Sequence, residues 1–382
     1  MKRKIRMGMV GGGQGAFIGA VHLMAARLDG QIELVCGAFS SDPEKSKASG
    51  SDLFLPEDRV YDSYDEMFAK ESSLPDGERM DFVSIVTPNH MHYPVAMAAL
   101  EAGFHVVCDK PMTLNLDEAK SLRDKVEATG LLFCLTHNYT GYPMVKEARD
   151  MVQSGAIGAI RRVVVEYPQG WMATPLESTG QKQADWRTDP SRAGASFTMG
   201  DIGSHCANLT EYITGLDIDE VCADLTSFVP GRALDDDGSV LLHLSGGAKG
   251  ILWASGIAIG EENALNIRIY GEKGSLEWHQ QEPNTLIVHW ADKPSEIRRT
   301  STGFVGQNAA ANTRLPAGHT EGFIEAFGNI YRNFAETLSR RLEGNTSATG
   351  DFPDVNDGVR GMAFIKAVVK SSAANQEWTK LG

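Results

Sequence analysis

The stretch Ile5-Arg6-Met7-Gly8-Met9-Val10-Gly11-Gly12-Gly13-Gln14-Gly15-Ala16 decides how the chain begins to fold. Its apolar first half predicts a buried strand, and the glycines that follow predict a tight turn. Helical periodicity over residues 17–28 completes the order strand, turn, helix. The pattern Gly11-x-Gly13-x-x-Ala16 is typical of turns that hold a dinucleotide pyrophosphate at a helix N-terminus, although ordinary α/β proteins also use glycine in such turns. A nucleotide-binding turn is therefore the favoured interpretation.

The same alternation of strand and helix continues through the first third of the chain. Near-continuous apolar strands separated by helices predict a parallel sheet covered on both faces. We therefore predict a doubly wound, Rossmann-type dinucleotide-binding domain over residues 1–138. The predicted strands are 5–10, 32–39, 82–87, 105–108 and 131–135, and the predicted helices are 17–28, a helix that starts near Pro43, 94–102 and 116–128.

After Asn138 the pattern changes, and strand-like runs follow one another closely with glycine-containing turns between several of them. This predicts a C-terminal α/β domain over residues 139–382 with a large open, mostly antiparallel sheet. A segment rich in Gly, Ala and Asn at residues 303–312 is predicted to be a surface loop. The predicted strands are 162–167, 221–228, 239–244, 250–257 and 265–270, and the predicted helices are 144–153, 321–343 and 357–374, the last of them a candidate to pack back on the first domain.

Composition excludes several classes of protein. The 382 residues carry 36 basic and 50 acidic side chains, a formal net charge of −14, which disfavours nucleic acid as a partner. No apolar run approaches the roughly 18 residues of a membrane span, so we expect no membrane partner. The chain has five cysteines and no C-x-x-C pair, so we predict that they are reduced residues of the core. A cytoplasmic location is the expectation.

The end of the second predicted strand leaves the choice of dinucleotide open. An acidic residue usually stands there to bind the ribose hydroxyls of NAD, whereas this chain has Ser40-Ser41 and only then Asp42. Lys45 and Lys47 follow and would suit the 2′-phosphate of NADP, but both are equally explained as a solvated helix face. NAD is the favoured cofactor, with NADP as the alternative.

Two further segments carry candidate catalytic groups. Lys110 follows a strand at its carboxyl end, where its ammonium could stabilise a developing alkoxide; the alternative is a surface lysine paired with Asp109. Asp201 and His205 share a face if their segment is helical, so the carboxylate could orient the imidazole as a general base. The alternative is that Asp201 caps a helix beginning near Ile202 and that His205 is a core residue.

Other polar residues are less specific. His90, His92 and His137 lie at different strand ends without metal-ligand spacing, so no metal site is predicted. A structural or cofactor-lining role suits them better. A later segment combines an aromatic residue with basic ones that could hold a polar substrate, but Asp185 and Asp189 are interleaved, and an exposed loop with balanced charge is an equal alternative. The residues of this segment are Trp186, Arg187, Lys182 and Arg192.

Taken together, the glycine turn, Thr87-Pro88-Asn89 with His92, Asp109-Lys110-Pro111, and Asp201 with His205 resemble the Gfo/Idh/MocA oxidoreductase family over essentially the whole chain. The resemblance implies a Rossmann domain, a C-terminal domain whose open sheet mediates a homo-oligomer (a dimer or tetramer), and NAD(P)-linked chemistry on sugars or cyclitols. It further implies that Lys110 is the catalytic lysine, His205 the proton acceptor, Asp201 its partner, and Asp109 a contact to the nicotinamide ribose.

The full set of candidate residues follows from these motifs. The cofactor candidates are Gly11, Gly13, Gln14, Gly15, Ala16, Phe17, Ile18, Ser40, Ser41, Lys45, Thr87, Pro88, Asn89, His92, Asp109, Lys110 and Asn138. The substrate candidates are Lys110, Tyr139, Tyr142, Trp186, Arg187, Asp201 and His205. The chain departs from the family at three places: Asp109 stands where glutamate is common, Asn208 where an acidic residue often follows the histidine, and residues 138–142 read Asn-Tyr-Thr-Gly-Tyr instead of an Asn-x-Arg pattern.

These motifs predict a dehydrogenase that oxidises a secondary hydroxyl of a sugar, glycoside or cyclitol by hydride transfer. An alternative is an NAD-dependent glycosidase that acts by transient oxidation, elimination and re-reduction; an anionic glycoside would suit it if Lys182, Arg187 or Arg192 faced the substrate. A third possibility is a sensor that binds nucleotide without turnover, which the presence of both Lys110 and His205 disfavours.

Overall fold

The computed structural model describes residues 3–382, and the chain divides into two compact units. The first unit comprises Met1–Thr113, Asp117–His137 and Phe327–Val359, and the second comprises Leu114–Leu116, Asn138–Ala326 and Arg360–Gly382. The sequence prediction assigned all of 139–382 to the second domain. The structure differs here, because residues 327–359 belong to the first unit.

A five-stranded sheet forms the centre of the first unit, in the order β2-β1-β3-β4-β5, and all of its pairs are parallel. The side chains of β3 are all buried, as expected for a strand covered on both faces. This confirms the predicted doubly wound sheet. The strands are β1 (Ile5–Gly11), β2 (Ile32–Ala38), β3 (Phe82–Val86), β4 (His105–Cys108) and β5 (Phe133–Leu135).

Helices connect these strands. The helix that follows β2 begins with Pro43 after Asp42, whose carboxylate accepts hydrogen bonds from the amides of Glu44 and Lys45. An acid-rich helix that the sequence analysis did not predict follows it, and Ser63 caps that helix through the amide of Glu66. The helices are α1 (Phe17–Arg27), α2 (Pro43–Asp52), α3 (Tyr64–Ser73), α4 (His92–Glu101) and α5 (Leu116–Thr129).

The second unit contains five further helices and a nine-stranded sheet. The segment predicted as a surface loop at 303–312 contains a short helix instead, because Ala309 is buried and provides an apolar anchor. The helices are α6 (Pro143–Gln153), α7 (Lys182–Arg187), α8 (Pro190–Ala193), α9 (Ser204–Thr214) and α10 (Gln307–Ala311). Two long helices complete the chain and each contributes residues to both units: α11 (Phe323–Leu342) and α12 (Val355–Ala373).

The strand order of the second sheet is β13-β12-β11-β10-β6-β9-β8-β7-β14. Every pair is antiparallel except β6 with β9, which confirms the predicted mostly antiparallel sheet. Burial alternates along β8 and β9, so one face of the sheet is covered and the other faces outward. The strands are β6 (Ile160–Pro168), β7 (Ile218–Thr226), β8 (Asp237–Leu244), β9 (Lys249–Ser255), β10 (Asn266–Gly271), β11 (Gly274–His279), β12 (Thr285–Trp290), β13 (Glu296–Arg299) and β14 (Thr379–Lys380).

None of the helices in the described part of the chain combines the length and the apolar content needed to span a membrane.

Candidate functional site

The turn between β1 and α1 has the geometry of an anion cradle. Gly11 has φ +80°, and a Cβ atom there would lie 2.7 Å from the carbonyl oxygen of Val86. A Cβ atom on Gly19 would lie 2.3 Å from the carbonyl oxygen of Gly12, so turn and helix pack backbone to backbone. The residue before α1 is Ala16, which makes no side-chain cap, and the first helical turn carries no acidic residue. The N-terminal end of α1 is therefore suited to bind a pyrophosphate.

Two residues of this turn that were predicted to contact the cofactor, Gly13 and Gln14, form hydrogen bonds to other residues of the protein. Gln14 donates its amide to Ser49 Oγ at 3.0 Å and its side chain to Asp52 Oδ2 at 2.7 Å. Gly13 donates its amide to the carbonyl oxygen of Phe39 at 3.3 Å. These bonds tie the glycine turn to β2 and α2. The candidates that remain for direct contact with a nucleotide are those at the open end of α1, where the side chain of Phe17 is 69% exposed.

The residues after β2 weaken the case for a 2′-phosphate. Asp42 is used as the cap of α2, and Ser40 Oγ accepts a hydrogen bond from the Asp42 amide at 3.1 Å. Lys45 and Lys47 are exposed on α2 and lie 3.9 Å and 3.5 Å from the carboxylates of Asp42 and Glu44. The interpretation of these lysines as a solvated helix face is thus the one that the structure supports.

His92 braces the carboxyl ends of two parallel strands. Its Nδ1 lies 2.7 Å from the carbonyl oxygen of Pro111, and its Nε2 lies 2.9 Å from that of Thr87. Burial lowers the pKa of His92, while Asp109 and the two carbonyls oppose that shift. Because both ring nitrogens are used in this way, the geometry favours a brace between the two loops over the predicted direct contact with a cofactor. The Lys110–Pro111 peptide bond between these strand ends is cis.

The carboxylate of Asp109 is fixed by hydrogen bonds from neighbouring residues. Its Oδ1 accepts hydrogen bonds from the Lys110 amide and from Thr136 Oγ1, both at 2.9 Å. Its Oδ2 lies 4.0 Å from His22 Nε2, which has no hydrogen-bond partner among the described residues. The shorter side chain at this position is therefore fixed at the end of β4 with one oxygen already used.

A buried polar cluster lies next to this carboxylate, and sequence reasoning missed it. His22 Nδ1 lies 2.7 Å from Tyr331 Oη and 3.2 Å from Ser84 Oγ, and those two hydroxyls lie 2.8 Å apart. Burial lowers the pKa of His22 to about 4, although Asp109 acts in the opposite direction. These residues are 62 to 309 positions apart in the chain, and no local pattern would have joined them.

Two predicted positions flank Lys110 and Asp109 in the first unit. Burial lowers the pKa of His137 to about 3, and the positive charge of Lys110 adds to this shift. Thr87 Oγ1 is a buried hydroxyl at the end of β3 with no hydrogen-bond partner among the described residues. A spare hydroxyl and a glycine cradle on adjacent strands fit a nucleotide at this edge of the sheet.

In the second unit, His205 lies in the first turn of α9, directly after a π-helical turn at Met199–Gly203. This places Asp201 one turn before the imidazole, as the spacing predicted. Neither helical turn is capped by a side chain, so the alternative in which Asp201 serves as an N-cap does not apply. Its Oδ2 instead accepts a hydrogen bond from Arg187 Nε at 3.0 Å.

Aromatic side chains surround His205, which is 6% exposed. The ring of Tyr139 meets the imidazole edge-on with centroids 4.7 Å apart, and that of Tyr167 lies 6.2 Å away. The two tyrosine hydroxyls hydrogen-bond to each other, and Tyr167 donates to Asn263 Oδ1 at 2.6 Å. Burial raises the pKa of Tyr139 to about 12 and that of Tyr167 well above its usual value, and the negative charge of Asp201 contributes to both shifts.

This network continues outward as uncharged polar groups. Gln169 donates to Asn263 Oδ1 at 2.7 Å, and Trp171 donates its indole N–H to Gln169 at 2.9 Å. Tyr142 stacks on Tyr139 and accepts a hydrogen bond from Gln280 at 3.3 Å. An open cleft of about 510 Å³ lies here, and its lining includes Tyr142, Glu262, Asn263, Gln280, Gln281 and Phe323. Of these, the sequence analysis had identified only Tyr142.

The basic segment is arranged differently from the prediction. Arg192 pairs with Asp185 at 2.7 Å on the surface, which supports the interpretation of balanced charge for that residue. The guanidinium of Arg187 lies over the indole of Trp186 at 4.3 Å and pairs with Asp201. Trp186 packs against a small core, so its ring supports Arg187 from below. Arg187 thus contacts both Trp186 and Asp201, and the predicted contacts of Trp186 and Arg187 with substrate stay predictions.

Comparison with known proteins adds independent information. Residues 5–137 match the family profile described as an oxidoreductase family with an NAD-binding Rossmann fold, and residues 145–277 match the profile of the GFO/IDH/MocA C-terminal domain. An uncharacterized oxidoreductase of Bacillus subtilis, YfiI, is 34% identical over 100% of this chain and 98% of its own length.

Two relatives with assigned ligands or activities are also similar. The crystal structure of an inositol dehydrogenase homolog from Azotobacter vinelandii, complexed with NADH and myo-inositol, is 34% identical with a TM-score of 0.92, and the match covers 100% of this chain and 98% of that one. Levoglucosan dehydrogenase of Pseudarthrobacter phenanthrenivorans is 27% identical over 80% of this chain and 81% of its own length.

Proposed function

Because the chain belongs to the Gfo/Idh/MocA family of oxidoreductases, with its NAD-binding Rossmann domain, we propose that it oxidises a secondary hydroxyl of a neutral cyclitol or sugar. The observation that carries this proposal is the uncharged polar wall beside His205. The phenols of Tyr139 and Tyr167 and the carboxamide of Asn263 form a hydrogen-bonded set of the kind that recognises hydroxyl groups.

The charges in the second unit favour a neutral substrate over an anionic one. Glu262 contributes a carboxylate to the cleft that contains Asn263 and Gln280. Arg187 and Arg192, two of the three cations that would have suited an anionic glycoside, form ion pairs with Asp201 and Asp185, and the third, Lys182, is exposed. A polyol presents only hydroxyls and would bind without an unpaired buried charge. The relatives that act on or bind levoglucosan and myo-inositol support the same class.

In the proposed reaction His205 accepts the hydroxyl proton, and Asp201 holds the imidazole in the required tautomer. Lys110 stabilises the negative charge that develops on the oxygen as the proton leaves. A bound NAD⁺ would supply the hydride acceptor for the carbinol carbon, so that the alcohol would leave as a ketone. We assign Asp109 to the nicotinamide ribose, with Thr136 and the Lys110 amide holding its carboxylate in place.

Of the two dinucleotides, we propose that the protein uses NAD and not NADP. The exposed lysines of α2 are paired with acidic side chains of the same helix or its cap, and the cap itself is a carboxylate that would repel a 2′-phosphate. Ser40 and Ser41 remain as candidates for the ribose hydroxyls at the end of β2.

We also infer a homo-oligomer formed through the outward face of the nine-stranded sheet. Leu241 and Ile251, which pair across β8 and β9, are 47% and 37% exposed, and Ile297 on β13 is 65% exposed, so that face offers apolar side chains to a second copy of the chain. A cytoplasmic location stays a prediction. Five free cysteines, four of them buried, support a reducing compartment.

The test is a substrate panel with the purified protein. NAD⁺ or NADP⁺ is incubated separately with myo-inositol, scyllo-inositol, levoglucosan, glucose, glucuronate and nitrophenyl glycosides, and NADH or NADPH is followed at its absorbance band. We expect NADH formation with at least one neutral polyol. Release of nitrophenol without net NADH would indicate the redox-assisted glycosidase instead, and no change with any compound would contradict both activities.

A further inference from the structure

Arg187 and Asp201 form an ion pair inside the second unit. The distance from Arg187 Nε to Asp201 Oδ2 is 3.0 Å, and the two side chains are 20% and 17% exposed. A charge-assisted hydrogen bond at this degree of burial is stronger and less screened than a surface pair. It fixes one oxygen of the carboxylate in space.

Arg187 is itself held from three sides, which distinguishes it from a mobile surface cation. Its Nη1 donates to Gln183 Oε1 at 2.6 Å and to the Gln183 carbonyl at 3.2 Å. Its guanidinium lies over two indoles, 4.3 Å from Trp186 and 5.9 Å from Trp171. A planar guanidinium that stacks and hydrogen-bonds in this way loses little further freedom when it binds a carboxylate.

The segment that presents Arg187 has its own apolar core. Trp186 and Leu176 pack against this core, whose buried members are Met172, Ala184, Ala193, Phe197 and Leu234. A second anchor is Arg232, whose side chain is fully buried and which bonds to Glu177, Asp236 and the carbonyl oxygen of Thr174. Arg187 is thus attached to a rigid support, and so is the carboxylate that it binds.

The same negative charge acts on the residues next to His205. The carboxylate of Asp201 raises the pKa of Tyr139 and Tyr167, in addition to the larger effect of burial. The rings of these tyrosines contact the imidazole of His205. Asp201 therefore lies within electrostatic reach of the wall that surrounds the proposed base.

We propose that Arg187 is the positioning residue of Asp201: by binding one carboxylate oxygen it orients the side chain for its role beside His205. This inference rests on the proposed function, since it assigns Arg187 an effect on catalysis only through Asp201. In this ion pair the charge of Arg187 is balanced within the protein. Arg187 needs no contact with substrate or cofactor in this role.

Arg192 provides a matched control on the same segment. Its Nη1 lies 2.7 Å from Asp185 Oδ2, but the two side chains are 34% and 59% exposed. Exposed pairs of this kind contribute little. Arg192→Gln removes the same group, from an ion pair of the same type, without touching Asp201.

The experiment is a double-mutant cycle with the full-length enzyme, NAD⁺ and the best polyol of the panel. The variants are Arg187→Gln, Asp201→Asn, the two together, Arg187→Lys and Arg192→Gln. We expect Arg187→Gln to lower kcat about 10- to 100-fold without changing the KM for NAD⁺. The double variant should be no slower than Asp201→Asn alone, because Arg187 then has no carboxylate to position. Arg187→Lys should recover part of the loss, and Arg192→Gln should stay within about two-fold of the wild type.

Each outcome separates this inference from the proposed function. An inactive wild type overturns the function and the inference with it. An active wild type whose Arg187→Gln and Asp201→Asn losses multiply in the double variant overturns only the inference, since Arg187 then acts independently of Asp201. Thermal unfolding is recorded for every variant. If Arg187→Gln does not fold, Arg187→Met, which removes the charge but keeps an unbranched side chain, alone and combined with Asp201→Asn closes the same cycle, and wild-type activity in Arg187→Met overturns the inference as well.

Discussion

The first unit encloses three buried histidines, whereas the second unit holds His205 among groups that can support proton transfer. Burial lowers the pKa of His22, His92 and His137, and His92 has both ring nitrogens against backbone carbonyls. His205 instead lies beside two phenols and one turn after a paired carboxylate. The comparison shows that the surroundings of a histidine, more than its position at a strand end, decide whether it can act as a base.

The largest effect is expected from His205. His205→Asn removes the proposed base, so kcat should fall about 10²- to 10⁴-fold while the Kd for NADH, measured by fluorescence, stays within about two-fold. His319→Asn, which changes an exposed histidine of the same unit, is the control and should be fully active. If His205→Asn lost NADH binding or kept full turnover, the proposal that His205 acts in the chemical step and not in cofactor binding would be wrong.

A substitution in the first unit should affect cofactor binding instead of the chemical step. Gly19→Ala places a Cβ atom 2.3 Å from the carbonyl oxygen of Gly12, so the turn and α1 must separate. We expect the affinity for NADH to fall about 5- to 150-fold, which corresponds to an overpacking cost of about 1–3 kcal/mol. Gly361→Ala, where an added Cβ meets open space in α12, is the matched control. Equal NADH affinities in the two variants would contradict the close packing of turn and helix.

The buried histidines of the first unit should also make stability sensitive to acid. The pKa of His22 is lowered to about 4 in the folded state, so below about pH 6.5 the unfolded chain binds a proton that the folded protein does not. The free energy of unfolding should therefore decrease as pH falls from about 6.5 to about 4, by up to about 1.4 kcal/mol per pH unit for each such group.

Urea unfolding at pH 7, 6 and 5 measures this slope. His22→Asn should reduce the slope even though it lowers the absolute stability, because the residue no longer titrates. If His22→Asn and wild type lose stability in parallel between pH 7 and 5, His22 is not one of the groups responsible.

The smallest effect is expected at the support of Asp109. Thr136→Val removes the hydroxyl that donates to Asp109 Oδ1, which costs about 1 kcal/mol and should weaken NADH binding about five-fold. Thr129→Val changes an exposed hydroxyl that donates to carbonyls of its own helix and accepts from the amide of Leu131, and it should have no effect on binding. Unchanged affinity in Thr136→Val would show that Asp109 is held well enough by the Lys110 amide alone.

The two regions also differ in how far the sequence predicts them. The glycine turn and the strands of the parallel sheet are encoded locally, by residue types that are adjacent in the chain, and the structure confirms the predicted sheet. Strands β11 to β13 escaped prediction because their alternation includes polar residues such as Glu277 and His289 on the outward face. The helix α3 escaped because its composition is acidic and only three of its residues are buried.

The site in the second unit shows the same limit. The four-residue spacing of Asp201 and His205 could be found because helix geometry relates them. The bond between Tyr139 and Asn263 joins positions 124 apart, and no period or motif in the chain encodes such a contact. Arg187 could be selected from the sequence as a candidate, but its partner could not be, because a guanidinium 14 residues before a carboxylate has no preferred geometry until the intervening segment folds.

The small apolar core formed by residues 172–197 together with Leu234 affects how the substrate preference of this protein can evolve. Since this segment packs on itself, mutations within it can change the neighbourhood of His205 while leaving the strand pairing of the large sheet intact. Among related proteins that prefer different polyols, we therefore expect the sequence differences to concentrate in residues 172–197. Exchange of this segment between two such proteins should change their substrate selectivity.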